Sequence, residues 1–184
     1  MSLIVVCNIF PGKYILFFSM KPLRKTTVVF LVKCVGNKIT HVCLGMKKRG
    51  FGMGRWNGVG GKVKMDLGET VRHAAIREAK EEFLVDLDKS LKKVAINKYF
   101  FINNPAIDLE MHIFLCNKWK GTPTESEEMK PRWFKVDKIP YKKMWDSDKY
   151  WLPLILKGKK LRCKSYVDDK DITIKREIKV VKTL

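Results

Sequence analysis

Glu78, Glu81 and Glu82 are the residues best placed to do chemistry in this chain. At i, i+3 and i+4 they share one face of a helix. Three carboxylates set so close repel one another, and a surface helix gains nothing from them. A hard divalent cation removes the conflict, because Mg²⁺ prefers oxygen ligands and is held by a few carboxylates together with substrate phosphates. The stretch from Gly61 to Val85, GKVKMDLGETVRHAAIREAKEEFLV, thus reads as half of a metal–phosphate site whose other half arrives with the substrate. No Ser-His-Asp or Cys-His arrangement is visible, and His41, His73 and His112 have no partner pattern, which disfavours covalent catalysis.

The elements that must hold these carboxylates follow from local pattern. Thr70 to Phe83 is a helix: Thr70 can cap it, and Val71, Ala75, Ala79 and Phe83 form an apolar stripe beside the acidic face. Thr26 to Val35 and Ile39 to Met46 are β-branched, apolar runs around Gly36-Asn37-Lys38, a hairpin signature. Lys47 to Gly61 holds six glycines and four basic residues and is a loop, leading into a short strand around Val59 to Val63. Val94 to Ile102 is a strand, Asn103-Asn104-Pro105 a turn, and Ile107 to Cys116 alternates with Ile107, Leu109, Met111, Ile113 and Leu115 on one face. Arg132 to Val136 is a further strand. Asp148 to Lys157 is a second helix, if Pro153 lies in its first turn. Lys160 to Val167 and Ile172 to Val181 form a closing hairpin. Strands with two helices imply an α/β fold, a mixed sheet sandwiched between helices.

At 184 residues the chain is most simply one domain with a real core. Residues 1–19 are apolar, lack the basic start of a signal peptide and are broken by Pro11-Gly12-Lys13, so the working domain is expected over 20–184, from Met20 onward. Five scattered cysteines without a C-x-x-C pair suit a reducing compartment and exclude a disulfide framework or zinc site. A cytoplasmic setting is expected, with mitochondria or nucleus as further addresses. The net charge of +19 draws polyanions, although much of the excess lies away from the acidic helix: ten Lys/Arg against four Asp/Glu from Lys157 to Leu184.

The Gly61–Val85 stretch resembles the Nudix box, G-x5-E-x7-R-E-U-x-E-E-x-G-U. Glu69, seven intervening residues and then Arg77-Glu78-Ala79-Lys80-Glu81-Glu82 are in register. Two residues are inserted around Met65 to Leu67, Ala79 is smaller than usual, and the late glycine is Leu84, so the helix is expected to end in another way. The resemblance implies the Nudix fold, an α/β/α sandwich with a mixed β-sheet and the Nudix helix. It implies Mg²⁺, or Mn²⁺, on Glu78, Glu81, Glu82 and Glu128 with the Gly61 backbone. Glu82 or Glu128 would be the base, and Arg77 would orient the site through Glu69 or Glu81.

Three further strings, LGMKKRGFGMGRWNGVGGKV, KGTPTESEEMKPRWF and MWDSDKYWLPLIL, look like the oxidized-purine triphosphatase branch of that family, so the similarity runs from about Thr26 to the C-terminus. Carried over, Asn57 matches a reader of the purine edge and Lys47 a pocket lysine. Phe51, Phe100, Leu109, Trp145 and Trp151 match positions around the base, and Thr27 sits where the first strand meets the pocket. The branch reads the base with two neighbouring aspartates. Ser147 and Asp148 stand at those places here, with Asp146 where a proline is usual. Adjacent acids can share a proton; with Ser147 that sharing is altered, so a changed purine preference is expected.

The function expected is metal-dependent hydrolysis of 8-oxo-dGTP or 2-oxo-dATP to monophosphate and pyrophosphate, by a monomer needing no protein partner and no membrane. Two rivals stand. One is a Nudix enzyme for a dinucleoside polyphosphate, a cap or a nucleoside diphosphate sugar. The other is a basic nucleic-acid-binding protein, which the order of basic and aromatic residues along the chain does not support.

Overall fold

The computed structural model describes residues 22–184 and, ahead of them, the backbone of two strands, β1 (Ile4–Phe10) and β2 (Lys13–Phe18), which pair antiparallel. Met20, the expected start of the domain, lies outside the described residues. Among the described residues no helix is long and apolar enough to cross a membrane.

Strand β3 (Arg24–Val35) is the spine of the domain. Its side chains alternate between two cores: Val28, Phe30 and Val32 point to one, Val29 and Leu31 to the other. A strand buried on both faces must be apolar throughout, and six consecutive residues from Thr27 to Val32 are buried. β3 turns back through Gly36 into β4 (Lys38–Lys47), which carries the two-residue β5 (Trp56–Asn57) at its end. Beyond lie β6 (Asp86–Leu87), β7 (Lys92–Phe101), β8 (Leu109–Cys116), β9 (Trp119–Lys120), β10 (Met129–Lys135), β11 (Lys160–Val167) and β12 (Thr173–Val181). The main sheet runs β10-β4-β3-β8-β7-β11-β12, with β3–β8 and β7–β11 parallel and the rest antiparallel. β6 and β9 make a separate small ribbon.

One helix covers each face, so the expected α/β/α sandwich with a mixed sheet is what forms. α1 (Val71–Phe83) buries Ala75, Ala79 and Phe83 against Val29, Leu31 and Cys43. Thr70 caps it, its hydroxyl accepting from the His73 N–H at 3.2 Å. α2 (Asp148–Leu156) buries Trp151, Leu152 and Ile155 against Phe30 and Leu161.

Four expectations need correction. Leu84 ends α1 in the left-handed conformation a glycine would take, at φ 58° and ψ 34°, with the Val85 N–H reaching back to the Ala79 carbonyl at 3.4 Å. Pro153 lies in the interior of α2, not its first turn. The ring deprives the carbonyl of Lys149 of a partner, but Lys149 is exposed, so water can satisfy it while Trp151, Leu152 and Ile155 anchor the helix. Residues 59–63 form no strand; isolated bridges Val29–Val59 and Thr26–Lys62 pin them to β3. Ile107 belongs to a 3₁₀ turn, so β8 starts at Leu109.

Candidate active site

The acidic half of the site is built from α1, the segment ahead of it and the stretch before β10. The two extra residues around Met65 to Leu67 are absorbed as a single 3₁₀ turn closed by Gly68, with Leu67 pointing into solvent. The turn leaves Glu69 facing α1. Arg77 Nε donates to Glu69 Oε1 at 2.8 Å, and its Nη1 reaches Glu78 Oε1 at 2.8 Å and Glu81 Oε2 at 2.9 Å. Arg77 therefore pairs with both expected partners and with Glu78. Its guanidinium holds the Glu69 carboxyl down at about 2.

Glu82 is buried under the glycine loop. Its Oε2 accepts from the Gly60 N–H at 2.9 Å, and its Oε1 from Lys47 Nζ at 2.8 Å. The same ammonium reaches Glu128 Oε2 at 2.8 Å, and Arg49 Nη2 holds the other Glu128 oxygen at 2.9 Å. Burial pushes Glu78 and Glu82 above the ordinary carboxylate range, against the pull of Arg77 and Lys47 respectively. Lys47 and Arg49 hold Glu128 below that range. The repulsion expected among the three glutamates is thus relieved by cations of the protein itself, and among the described residues no three acidic, histidine or cysteine side chains converge as metal ligands.

The donor set nonetheless fits a hard divalent cation. Glu78, Glu81, Glu82 and Glu128 line one groove of about 500 Å³, and all offer carboxylate oxygens. Gly61 is required beside it: a Cβ there would lie 2.4 Å from Glu78 Oε1.

A second space of about 650 Å³ opens next to the groove, lined by Thr27, Lys47, Phe51, Asn57, Leu109, Trp145, Asp146, Ser147 and Asp148 among others. Phe51 stacks on Trp145 with ring centroids 4.9 Å apart, and the guanidinium of Arg55 lies 4.5 Å from the Trp145 ring. Asn57 Oδ1 accepts from the Gly58 N–H at 2.8 Å, which orients the amide and leaves Nδ2 unengaged by that bond. Asp148 is buried and its Oδ2 has no partner, while its Oδ1 faces Ser147 Oγ at 3.5 Å. Burial pushes its carboxyl up to about 8. Ser147 Oγ is 3.0 Å from the Tyr99 hydroxyl. Asp146, beside them, binds Lys149 and the Thr173 N–H.

Two residues expected around a base are elsewhere. Phe100 points to the opposite face of β7 and stacks on Tyr166; Tyr99 and Phe101 line the cavity instead. Strand alternation makes a one-residue slip move a side chain across the sheet. Trp151 sits in the core, 1% exposed and against Phe30, not in the cavity wall. Sequence reasoning missed Tyr99, Phe101, Arg55 and Asp171, the last two joined by a 2.9 Å ion pair. A strict period-2 reading of β7 against buried Ala95 would have found Tyr99 and Phe101.

The chain matches the NUDIX domain over residues 23–155. It belongs to the Nudix family. It is 45% identical to the oxidized purine nucleoside triphosphate hydrolase of Mus musculus over 141 residues, covering 77% of this chain and 88% of that protein. Identity to the Danio rerio protein of the same name is 42% over 144 residues, 78% of this chain and 90% of that one. In three dimensions this Nudix hydrolase superposes on a MutT protein from Bacillus halodurans with a TM-score of 0.71 at 21% identity, over 85% of this chain and 97% of that chain.

Proposed function

We propose that this Nudix hydrolase cleaves oxidized purine (deoxy)nucleoside triphosphates, 8-oxo-dGTP or 2-oxo-dATP among them, to the monophosphate and pyrophosphate. The observation that carries the reading is the meeting of two spaces: the aromatic cavity and the carboxylate groove share Arg49 and Glu128. A purine suits the first, with its apolar walls and few placed polar groups. A triphosphate extending from that purine passes Lys47 and Arg49 and ends among the glutamates. The names of the mouse and zebrafish relatives support the same substrate class.

Glu78, Glu81, Glu82 and Glu128, with the Gly61 backbone, would hold Mg²⁺ or Mn²⁺. When bound, the cation supplies charge neutralisation of the phosphates and lowers the pKa of attacking water. The chain's own residues do the rest. The Gly60 N–H and Lys47 fix Glu82 as candidate base, with Glu128 as the other candidate acceptor of the water proton. Arg77 locks Glu78 and Glu81 on their helix face. Thr27, Lys47, Phe51, Asn57, Leu109, Trp145, Asp146, Ser147 and Asp148 bind the nucleotide. Among them, Asn57 and Asp148 read the base edge and the Phe51–Trp145 stack closes over it. Ser147 is turned toward Tyr99, so one acid reads the base where the branch uses two, and the purine preference shifts. The free thiols of Cys34, Cys43, Cys116 and Cys163 accord with a reducing, cytoplasmic setting.

Hydrolysis of 8-oxo-dGTP against dGTP with Mg²⁺, following pyrophosphate and monophosphate, tests this. A strong preference for the oxidized nucleotide is expected. Equal rates, or faster cleavage of a dinucleoside polyphosphate or cap, would overturn the substrate assignment while keeping the Nudix chemistry.

A further inference from the structure

Helix α1 packs on β3 and β10 and covers that side of the sheet as far as Phe114 and Cys116 of β8. On the same side, β7, β11 and β12 carry no helix among the described residues. The register fixes which side chains share that open face. Phe100, Tyr166 and Lys175 form one row across the three strands. Lys98, Lys164 and Glu177 form the next, and Ile96, Arg162 and Lys179 the third.

Two features stand together there. Phe100 and Tyr166 are half-exposed aromatics stacked on each other, centroids 5.2 Å apart and planes 23° apart, with the Lys175 ammonium 5.2 Å from the Tyr166 ring. Around them are exposed cations. The acids on this face are already matched, Glu177 by Lys164 at 3.0 Å and Glu110 by Lys98 at 3.5 Å, whereas Arg162, Lys175 and Lys179 show no ion pair among the described residues. Core packing does not account for half-exposed stacked rings, and solubility does not account for their being ringed by cations of one sign. The order of residues along the chain hides the arrangement, because the rings come from strands 66 positions apart and meet only through the parallel β7–β11 pairing.

We propose that this open sheet face is a binding platform for single-stranded nucleic acid, separate from the aromatic nucleotide cavity on the opposite face. Unpaired bases extend the Phe100–Tyr166 ring row by stacking, and Arg162, Lys175 and Lys179 take the phosphates. At roughly 4.8 Å between strands and 6.8 Å between same-face residues, the three rows accommodate about two to four nucleotides. A duplex cannot use the rings, because its bases are already stacked and paired. The platform would add strand binding to a protein whose hydrolytic site takes single nucleotides.

The test is fluorescence anisotropy of the full chain with a labelled mixed-sequence twelve-nucleotide strand, as RNA and as DNA, and with the matching duplex, all in chelator. Single strands should bind better than duplex. With about three phosphates engaged, the log–log salt slope should be near about −2, so affinity falls about 20-fold from roughly 50 to 200 mM salt. Excess dGTP should not compete. Tyr166→Leu, which keeps apolar bulk but removes the ring, should weaken binding about tenfold with hydrolysis of nucleotide unchanged. If that variant fails to fold, the exposed pair Arg162→Gln/Lys179→Gln decides: the slope should become shallower by about 1.4. Tighter binding of RNA or of DNA names the natural strand, and either preference, or equal binding, supports the platform. Four results would overturn it: no strand binding at low salt, equal binding of duplex with Tyr166→Leu unaffected, full competition by dGTP, or capture by phosphatidylserine vesicles without any strand binding.

Discussion

Raising the pH should change which oxidized purine the enzyme prefers. Burial pushes the Asp148 carboxyl up to about 8, the attraction of Arg55 being partly offset by Asp146. Roughly nine in ten molecules are then neutral at pH 7 and about one in ten at pH 9. The neutral acid offers a proton from Oδ2, which has no partner in the protein. A guanine-type base presents an acceptor oxygen at position 6, an adenine-type base an amino donor. Facing the wrong group leaves a buried polar atom unpaired, at a cost of about 1–3 kcal/mol. The ratio of kcat/KM for 8-oxo-dGTP over 2-oxo-dATP should therefore fall about tenfold or more between pH 6.5 and 9.5, since about 1.4 kcal/mol is a factor of ten. Pyrophosphate release measures it, and the ratio cancels every titration common to both substrates, including those of the glutamates. Ser147 cannot compensate, being engaged with Tyr99. A flat ratio across that range would refute the single-acid reading, and so would a Ser147→Asp variant whose ratio follows the same curve as wild type.

Asp148 also links stability to pH. Burial holds its carboxyl well above an ordinary aspartate's 3.8, so the stability it contributes is full below about 4 and is lost as pH rises toward 8; melting temperatures of Asp148→Asn should lack that decline. Glu82→Gln keeps an acceptor for the Gly60 N–H but removes the charge, so kcat should drop by about 10²–10⁴ with the fold intact by circular dichroism; full activity would remove Glu82 from the mechanism. Gly61→Ala drives a methyl into the Glu78 carboxylate and should abolish metal-dependent hydrolysis while nucleotide binding in chelator persists. Leu84→Gly relieves roughly 1 kcal/mol of left-handed strain and should raise the melting temperature by about 2–4 °C.

Some of this was legible in the residues alone. The acidic helix, its Thr70 cap and the apolar strands announce themselves by local period, and the sandwich follows from their order. What escaped was set by contacts between distant segments. Phe100 and Tyr99 differ by one place in a strand, and the packing of Ala95 into the core, two alternations earlier, fixes which faces the cavity. Trp151 carries an aromatic that suits a pocket or a core equally; the packing of α2 on Phe30 decides it. Leu84 shows that a position can keep a glycine's backbone shape without the glycine, because the preceding turn and Val85 hold it there. The pairings of Lys47 with Glu82 and Glu128, residues 35 and 81 positions away, have no local signal at all.

Those same Lys47 and Arg77 contacts bear on how the protein endures. Each carboxylate of the acidic cluster already has a counter-ion grown on the chain, so folding does not wait for a metal as it does in small zinc domains. Folding therefore does not require the metal: a chelator should silence the enzyme yet leave it folded, its melting temperature lowered only by the binding energy of the released ion. A cell short of the divalent cation would keep a stock of intact, idle protein, ready to resume as soon as the ion returns.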